Sequence, residues 1–209
     1  MLKQPIIAPN SSEIEKADFP GSLTALFLMS RTTFETSAFP QLMECLPQLR
    51  SLTIVPAVRY FNGWIDTSVF PPNLHTLTTV NCALKLGIPS ETSSIKVLRS
   101  YHTCDISRHV APNPRIEKFS FQYNTAQSIQ TIGILSQGLM PSLKNLEVVV
   151  VGSRGDAQQE DQLAHMRHLC ENNQIRFDVQ RVNERRAKTV SNYLHEYLGV
   201  INRATSCWA

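Results

Sequence analysis

Apolar residues recur along this chain in a phrase rather than in one continuous period. Six times a short turn-forming stretch precedes apolar or small residues at the first, fourth and sixth places. The copies are Leu23-Leu26-Leu28, Leu49-Leu52-Ile54, Leu74-Leu77-Thr79, Ile95-Leu98-Ser100, Ile116-Phe119-Phe121 and Leu143-Leu146-Val148. Their starts are separated by 26, 25, 21, 21 and 27 residues. Proline stands two residues ahead of the first apolar place at Pro47, Pro72, Pro114 and Pro141, and one residue further back at Pro20. Its fixed φ and missing donor suit the start of a strand. The second and third apolar residues of each phrase alternate as on a strand with one buried face. A single unit of this kind cannot bury its own apolar side, whereas stacked units can, so the pattern predicts a solenoid held by neighbour interfaces.

Strands are expected at the six phrases, with a seventh at Ile175–Val179, where apolar and polar residues alternate strictly. Short returning helices are expected at 39–46, at 127–139 with Ile129, Ile132, Leu135 and Leu139 at three- and four-residue spacing, and at 158–172 with Leu163, Met166, Leu169 and Cys170 on one face. The stretches after Val55, Cys82 and Tyr101 are rich in Pro, Ser, Thr and Asn and are expected to be loop or 3₁₀ turn. Glu184–Ala204 is amphipathic, with Val190, Tyr193, Leu194, Tyr197, Leu198 and Ile201 along one stripe and Arg185, Arg186, Lys188, Asn192 and Glu196 opposite. A helix covering the last open unit is the expected role, and an exposed partner-binding helix the alternative. The expected division is an N-terminal arm at 1–18, a repeat domain at 19–182, and a capping helix with its tail at 183–209.

Leu74-x-x-Leu77-x-Thr79-x-x-Cys82 and Ile116-x-x-Phe119-x-Phe121-x-x-Asn124 resemble the leucine-rich-repeat consensus, including its ninth-place Cys or Asn. The spacing falls inside the roughly 20–29-residue period of such repeats. The irregular period and the Pro-x-Leu-x-x-Leu phrase, over residues 19–180, resemble the repeat regions of fungal and other eukaryotic F-box proteins. The resemblance implies an α/β leucine-rich-repeat solenoid, a short curved horseshoe with a parallel sheet on its concave face. It also implies a module that recruits a substrate protein to a ubiquitin ligase, although the helical F-box segment itself is not visible in these residues.

Composition narrows this only slightly. The chain has 209 residues, 42% of them hydrophobic and 18% charged, with 8 glycines and a net charge of +3, the profile of an ordinary globular domain. Arg181, Arg185, Arg186 and Lys188 form the one basic cluster, a weak footprint for nucleic acid. No apolar run has the length of a signal peptide or a membrane span, which points to an intracellular protein of the cytoplasm or nucleus with no membrane partner. Cys45, Cys82, Cys104, Cys170 and Cys207 are odd in number and widely spaced, so reduced, buried thiols are expected.

Catalytic and metal chemistry find little support. Val148–Val151 followed by Gly152-Ser153-Arg154-Gly155-Asp156 mimics a phosphate-binding strand–turn–helix, yet no complete nucleotide fingerprint is present. A small α/β nucleotide-binding enzyme built on the turn at Gly152–Gly155 is therefore the alternative reading. His165-x-x-His168-x-Cys170 lacks the further ligands of a tetrahedral site, and the adjacent His102 and Cys104 do not make a catalytic pair. No enzyme activity, cofactor or metal is implied.

What repetition does create is a surface. Residues between the buried places of each phrase project to the opposite, concave side. Of these, Phe27, Met29, Arg99 and Tyr101 are of the types enriched as binding anchors, and Lys118 and Gln122 lie on the strand beside the last two. They are the candidate sites for a protein partner; the oligomeric state is left open.

Overall fold

The computed structural model describes residues 22–30, 38–56, 64–66, 70–80, 83–85, 94–101, 115–152 and 156–182. Three of the phrases start from the same turn. In Leu46-Pro47-Gln48-Leu49, Pro71-Pro72-Asn73-Leu74 and Met140-Pro141-Ser142-Leu143, the last N–H donates to the first carbonyl at 3.1, 3.0 and 3.1 Å. Proline thus takes the second place of a β-turn, where its pre-set φ is favourable, and the strand starts only after the following leucine. Asn73 ties one turn to the preceding one, donating its side-chain amide to the Pro47 carbonyl at 2.9 Å.

In chain order the elements are β1 (Ala25–Ser30), α1 (Ala38–Glu44), β2 (Ser51–Pro56), β3 (Trp64–Asp66), β4 (Thr76–Val80), β5 (Ala83–Lys85), β6 (Val97–Tyr101), β7 (Lys118–Gln122), α2 (Thr125–Ser136), β8 (Asn145–Val151), α3 (Ala157–Asn172) and β9 (Arg176–Val182). Seven strands form one parallel sheet in the order β1-β2-β4-β6-β7-β8-β9, so each phrase lies beside the next one along the chain. Just ahead of the strands the pairing is continuous. The carbonyls of Thr24, Arg50, His75, Lys96 and Glu117 each accept from two successive N–H groups of the following unit, and Lys144 accepts from Arg176. The fold is therefore α/β, with an open parallel sheet and a few helices, an arrangement compatible with a solenoid.

The register carries the apolar phrase across the sheet. One inward row is Leu26, Leu52, Leu77, Leu98, Phe119, Leu146 and Phe177; the next is Leu28, Ile54, Thr79, Ser100, Phe121, Val148 and Val179. Leu52, Leu77, Leu98 and Leu146 are wholly shielded from solvent, as are the first-place residues Leu49, Leu74 and Ile116. In the second row the small Thr79 and Ser100 are followed by Phe121, whose ring stacks on Phe119 with centroids 5.4 Å apart. The large rings fill the space that the small neighbours leave, as close packing requires.

Helices α2 and α3 begin and end by the same devices. Asn124 caps α2 by accepting from the Gln127 N–H at 2.8 Å, and Asp156 caps α3 by accepting from the Gln159 N–H at 2.7 Å. Each has glutamine three places on, as in a capping box. At its end α2 closes with Gly138 N–H to Leu135 and Leu139 N–H to Ile134, with Gly138 at φ 64°. The end of α3 repeats this with Gln174 N–H to Glu171 and Ile175 N–H to Cys170, Gln174 standing at φ 58°. Both are Schellman closures; glutamine rather than glycine in the left-handed conformation costs about 1 kcal/mol. By register the first place of the seventh phrase is Gln174, three residues before Phe177, and Ile175 packs as the hydrophobic end of the cap.

Several expectations need correcting. The stretches after β2 and β4 are not wholly irregular, because β3 and β5 pair in parallel as a second, two-stranded sheet. On α2, Leu135 is buried and Ile132 and Leu139 pack against the core as the spacing suggested, but Ile129 is 56% exposed, and Gln127, Ser128, Thr131 and Ile134 join the buried face. On α3 the expected Leu163, Met166 and Cys170 are buried. Cys170 is a free thiol that burial first, and the neighbouring Glu171 charge second, push up to about 11, whereas Cys45 is free but exposed and not buried. The arm at 1–18, the capping segment at 183–209, and Cys82, Cys104 and Cys207 lie outside the described residues. Among the described residues no helix is long and apolar enough to cross a membrane.

Candidate functional site

The face of the sheet opposite the core is built from the alternate residues of each strand. Register places Arg99, Ser120, Glu147 and Asp178 in one row across β6–β9, with Val97, Lys118, Asn145 and Arg176 in the row beside it. Polar and charged groups therefore meet on four adjacent strands, although each phrase contributes only one or two of them.

Glu147 is the centre of this cluster. Ser120 Oγ donates to its Oε2 at 2.6 Å, Lys118 Nζ lies 3.2 Å from the same oxygen, and Gln180 Nε2 donates to Oε1. Its side chain keeps 16% of its exposure, and Ser120 is fully buried. Burial by itself pushes the Glu147 carboxyl up. The bonds from Ser120 and Lys118 and the charges of Lys118 and Arg99 outweigh that, holding it below its ordinary value of 4.5. Arg176 pairs with Asp178 at 2.9 Å on the adjoining strand. Arg99 supports Glu147 through its field, and no ion pair engages its guanidinium among the described residues.

A second network borders the strands on the side of the turns. Glu117 is held between Lys144 at 2.8 Å and Lys96 at 3.1 Å, the three residues occupying equivalent places in successive units. The Lys144 hydrogen bond, then that of Lys96, lowers the Glu117 carboxyl from its ordinary range. A folded value below the unfolded one means stability that is complete above about pH 4.5 and is lost as pH falls through the folded value. Acid unfolding should thus start near pH 4.5 and steepen below it. The Glu147→Gln variant, which cannot gain this proton, should flatten that dependence. A titration followed by circular dichroism in which native and variant slopes coincide would remove Glu147 from the acid response.

Of the candidate anchors, Arg99, Lys118 and Gln122 are brought together on the adjacent strands β6 and β7. The backbone of Tyr101 lies at the end of β6, opposite Val80; its side chain is outside the described residues, as is that of Met29. Phe27 is half-buried on β1, in register with Thr53. It stands three strands from Arg99, roughly 14 Å at the usual strand spacing, and so belongs to a separate patch. Lys118 is committed to Glu147 rather than standing free. Glu147, Ser120 and Gln180 were not among the candidates, because their importance lies in cross-strand register. The signal in the sequence was their shared place two residues into successive strands, or four in the case of Gln180.

The turn at Gly152 is engaged within the fold. Gly152 has φ 118° and its N–H donates to the Val182 carbonyl at 3.0 Å, while the Asp156 carboxylate occupies the start of α3. His165 and His168 are exposed on α3, and Asn172 Nδ2 lies 3.1 Å from His168 Nε2. Residues 102–114 and 153–155 lie outside the described residues. Compared with known proteins, the chain matches no protein-family model, no curated protein and no solved structure.

Proposed function

We propose that the chain is a leucine-rich-repeat interaction module that binds a protein partner through the open, concave face of its sheet, with Arg99 and Tyr101 as anchors and Lys118 and Gln122 beside them. The observation that carries this reading is the in-register order of the seven strands. It sets the alternate side chains of each unit onto a continuous surface and leaves Arg99, uncommitted to any described ion pair, next to the Glu147 cluster. Guanidinium and aromatic groups near the middle of a contact commonly cost more than about 2 kcal/mol of binding when truncated. A role as the substrate-recruiting part of an F-box-like ubiquitin ligase adaptor rests on the sequence resemblance alone. Its setting would be the cytoplasm or nucleus.

The alternative, a nucleotide-binding enzyme at Gly152–Gly155, is less favoured. An anion at that turn would compete with the Val182 carbonyl for the Gly152 N–H and would face the Asp156 carboxylate. The double variant Arg99→Ala with Tyr101→Ala should lose partner recovery in a pull-down while keeping the parent melting temperature. Retained partners, or collapse of the fold, would rule out this face. A rise in melting temperature with nucleotide would favour the enzyme instead.

A further inference from the structure

The second place of the repeating phrase, just ahead of each strand, builds a surface apart from the concave face. Thr24, Arg50, His75, Lys96, Glu117 and Lys144 occupy it in successive units. Each of the first five holds the next unit through its carbonyl, which accepts from two successive N–H groups, so the backbone fixes these residues one strand apart. Arg50, His75, Lys96 and Lys144 are exposed, and from Arg50 to Lys144 the row crosses four strand spacings, about 19 Å. The His75 ring is steadied by its Nδ1–H, which donates to the Asn73 carbonyl at 2.5 Å. Arg50 enters no ion pair among the described residues. Lys96 and Lys144 each give one contact to Glu117, at 3.1 and 2.8 Å; an ammonium has three donors, so both keep some for a further partner.

Charge is divided between two sides of the molecule. Helix α3 and its cap hold Asp156, Glu160, Asp161 and Glu171, all exposed, against Arg167 on the same helix. The row holds Arg50, Lys96 and Lys144 against Glu117 alone. An acidic surface is thus drawn to the turn-side edge and turned away from the helical side. We propose that this row docks an acidic segment of a partner protein, laid across the strands along Arg50, His75, Lys96 and Lys144. A uniform polyanion fits less well. A nucleic-acid strand would meet the Glu117 carboxylate within the row and would find no aromatic ring there on which to stack a base, whereas a protein segment can change its charge at that one place. The inference does not rest on the concave anchors, since none of them belongs to the row.

Fluorescence anisotropy on the full chain tests this with a labelled oligoglutamate long enough to span the row, an oligothymidylate of equal charge, and vesicles containing phosphatidylserine. Oligoglutamate should bind more tightly than the other two, and its affinity should fall as salt screens the exposed cations. Arg50→Glu with Lys144→Glu should weaken it at least about tenfold. Removing the interrupting carboxylate acts in the opposite direction. Glu117→Gln releases both lysines and should tighten binding about threefold or more, whereas Glu171→Gln, the same change of net charge made on the helical side, should leave it within about twofold. Equal effects of the two glutamine variants would overturn the row as the site and leave attraction by net charge in its place. Absence of oligoglutamate binding, or tighter binding of the oligothymidylate or the vesicles, would overturn the protein partner. Should the double reversal fail to fold, the two glutamine variants decide alone, because each neutralises a single surface carboxylate.

Discussion

Leu77→Asp should unfold this protein. Leu77 has no exposure, and its register partners on either side, Leu52 and Leu98, have none either, so a carboxylate placed there has no water and no cation to meet. An unpaired buried charge costs several kcal/mol against a typical total of about 5–15 kcal/mol. The disruption also cuts the molecule in the middle, since the strong strand contacts run only between sheet neighbours and β4 joins β2 to β6. Circular dichroism should show no cooperative melt for Leu77→Asp, while Thr78→Asp, one residue along on the open face, should melt close to the parent. A Leu77→Asp protein with an unchanged melting temperature would mean that the inward row is misassigned.

The strands were legible because an apolar triplet and a proline turn are local signals, and the register then follows from stacking like on like. Leu26, Leu52, Leu77 and Leu98 align without further information. The seventh unit was half-legible: Phe177 and Val179 alternate correctly, but the first place of the phrase is Gln174, whose backbone serves the end of α3. The face of α2 was only partly legible: Ile132, Leu135 and Leu139 turn to the core as spaced, but the burial of the small and polar Gln127, Ser128 and Thr131, on a helix that packs on α3, leaves no hydrophobic trace in the sequence. The pair β3–β5 was invisible because three residues per strand are too few to show a period.

The open face shows the same division. Which side chains point outward could be read from alternation alone, and Arg99, Lys118 and Gln122 do share one patch. Which of them are already satisfied could not. Lys118 and Ser120 come from one strand, Glu147 and Gln180 from two others, and their hydrogen bonds span 27 and 33 residues of sequence. A pattern confined to one phrase carries no trace of such a network, whereas the parallel register makes it unavoidable.

The packing of the second inward row leads to the other large expected effect. Phe121 is fully buried between Ser100 and Val148, and Ser100 has no bulk with which to close a gap. Phe121→Ala should therefore leave a cavity that the row cannot collapse into, and it also removes the ring stacked on Phe119. Buried Phe→Ala changes cost about 3–5 kcal/mol, and in a chain of this size each kcal/mol lowers the melting temperature by about 2–4 °C, so a fall of about 6–20 °C is expected. Ser100→Ala should behave differently. The Ser100 hydroxyl is buried without a hydrogen-bond partner among the described residues, so its removal relieves a desolvation cost and should leave the melting temperature unchanged or slightly raised. Differential scanning calorimetry on both variants separates the possibilities. If Ser100→Ala destabilises as much as Phe121→Ala, the hydroxyl is satisfied in solution, and the row is held by polar pairing there rather than by the fit of large rings beside small residues.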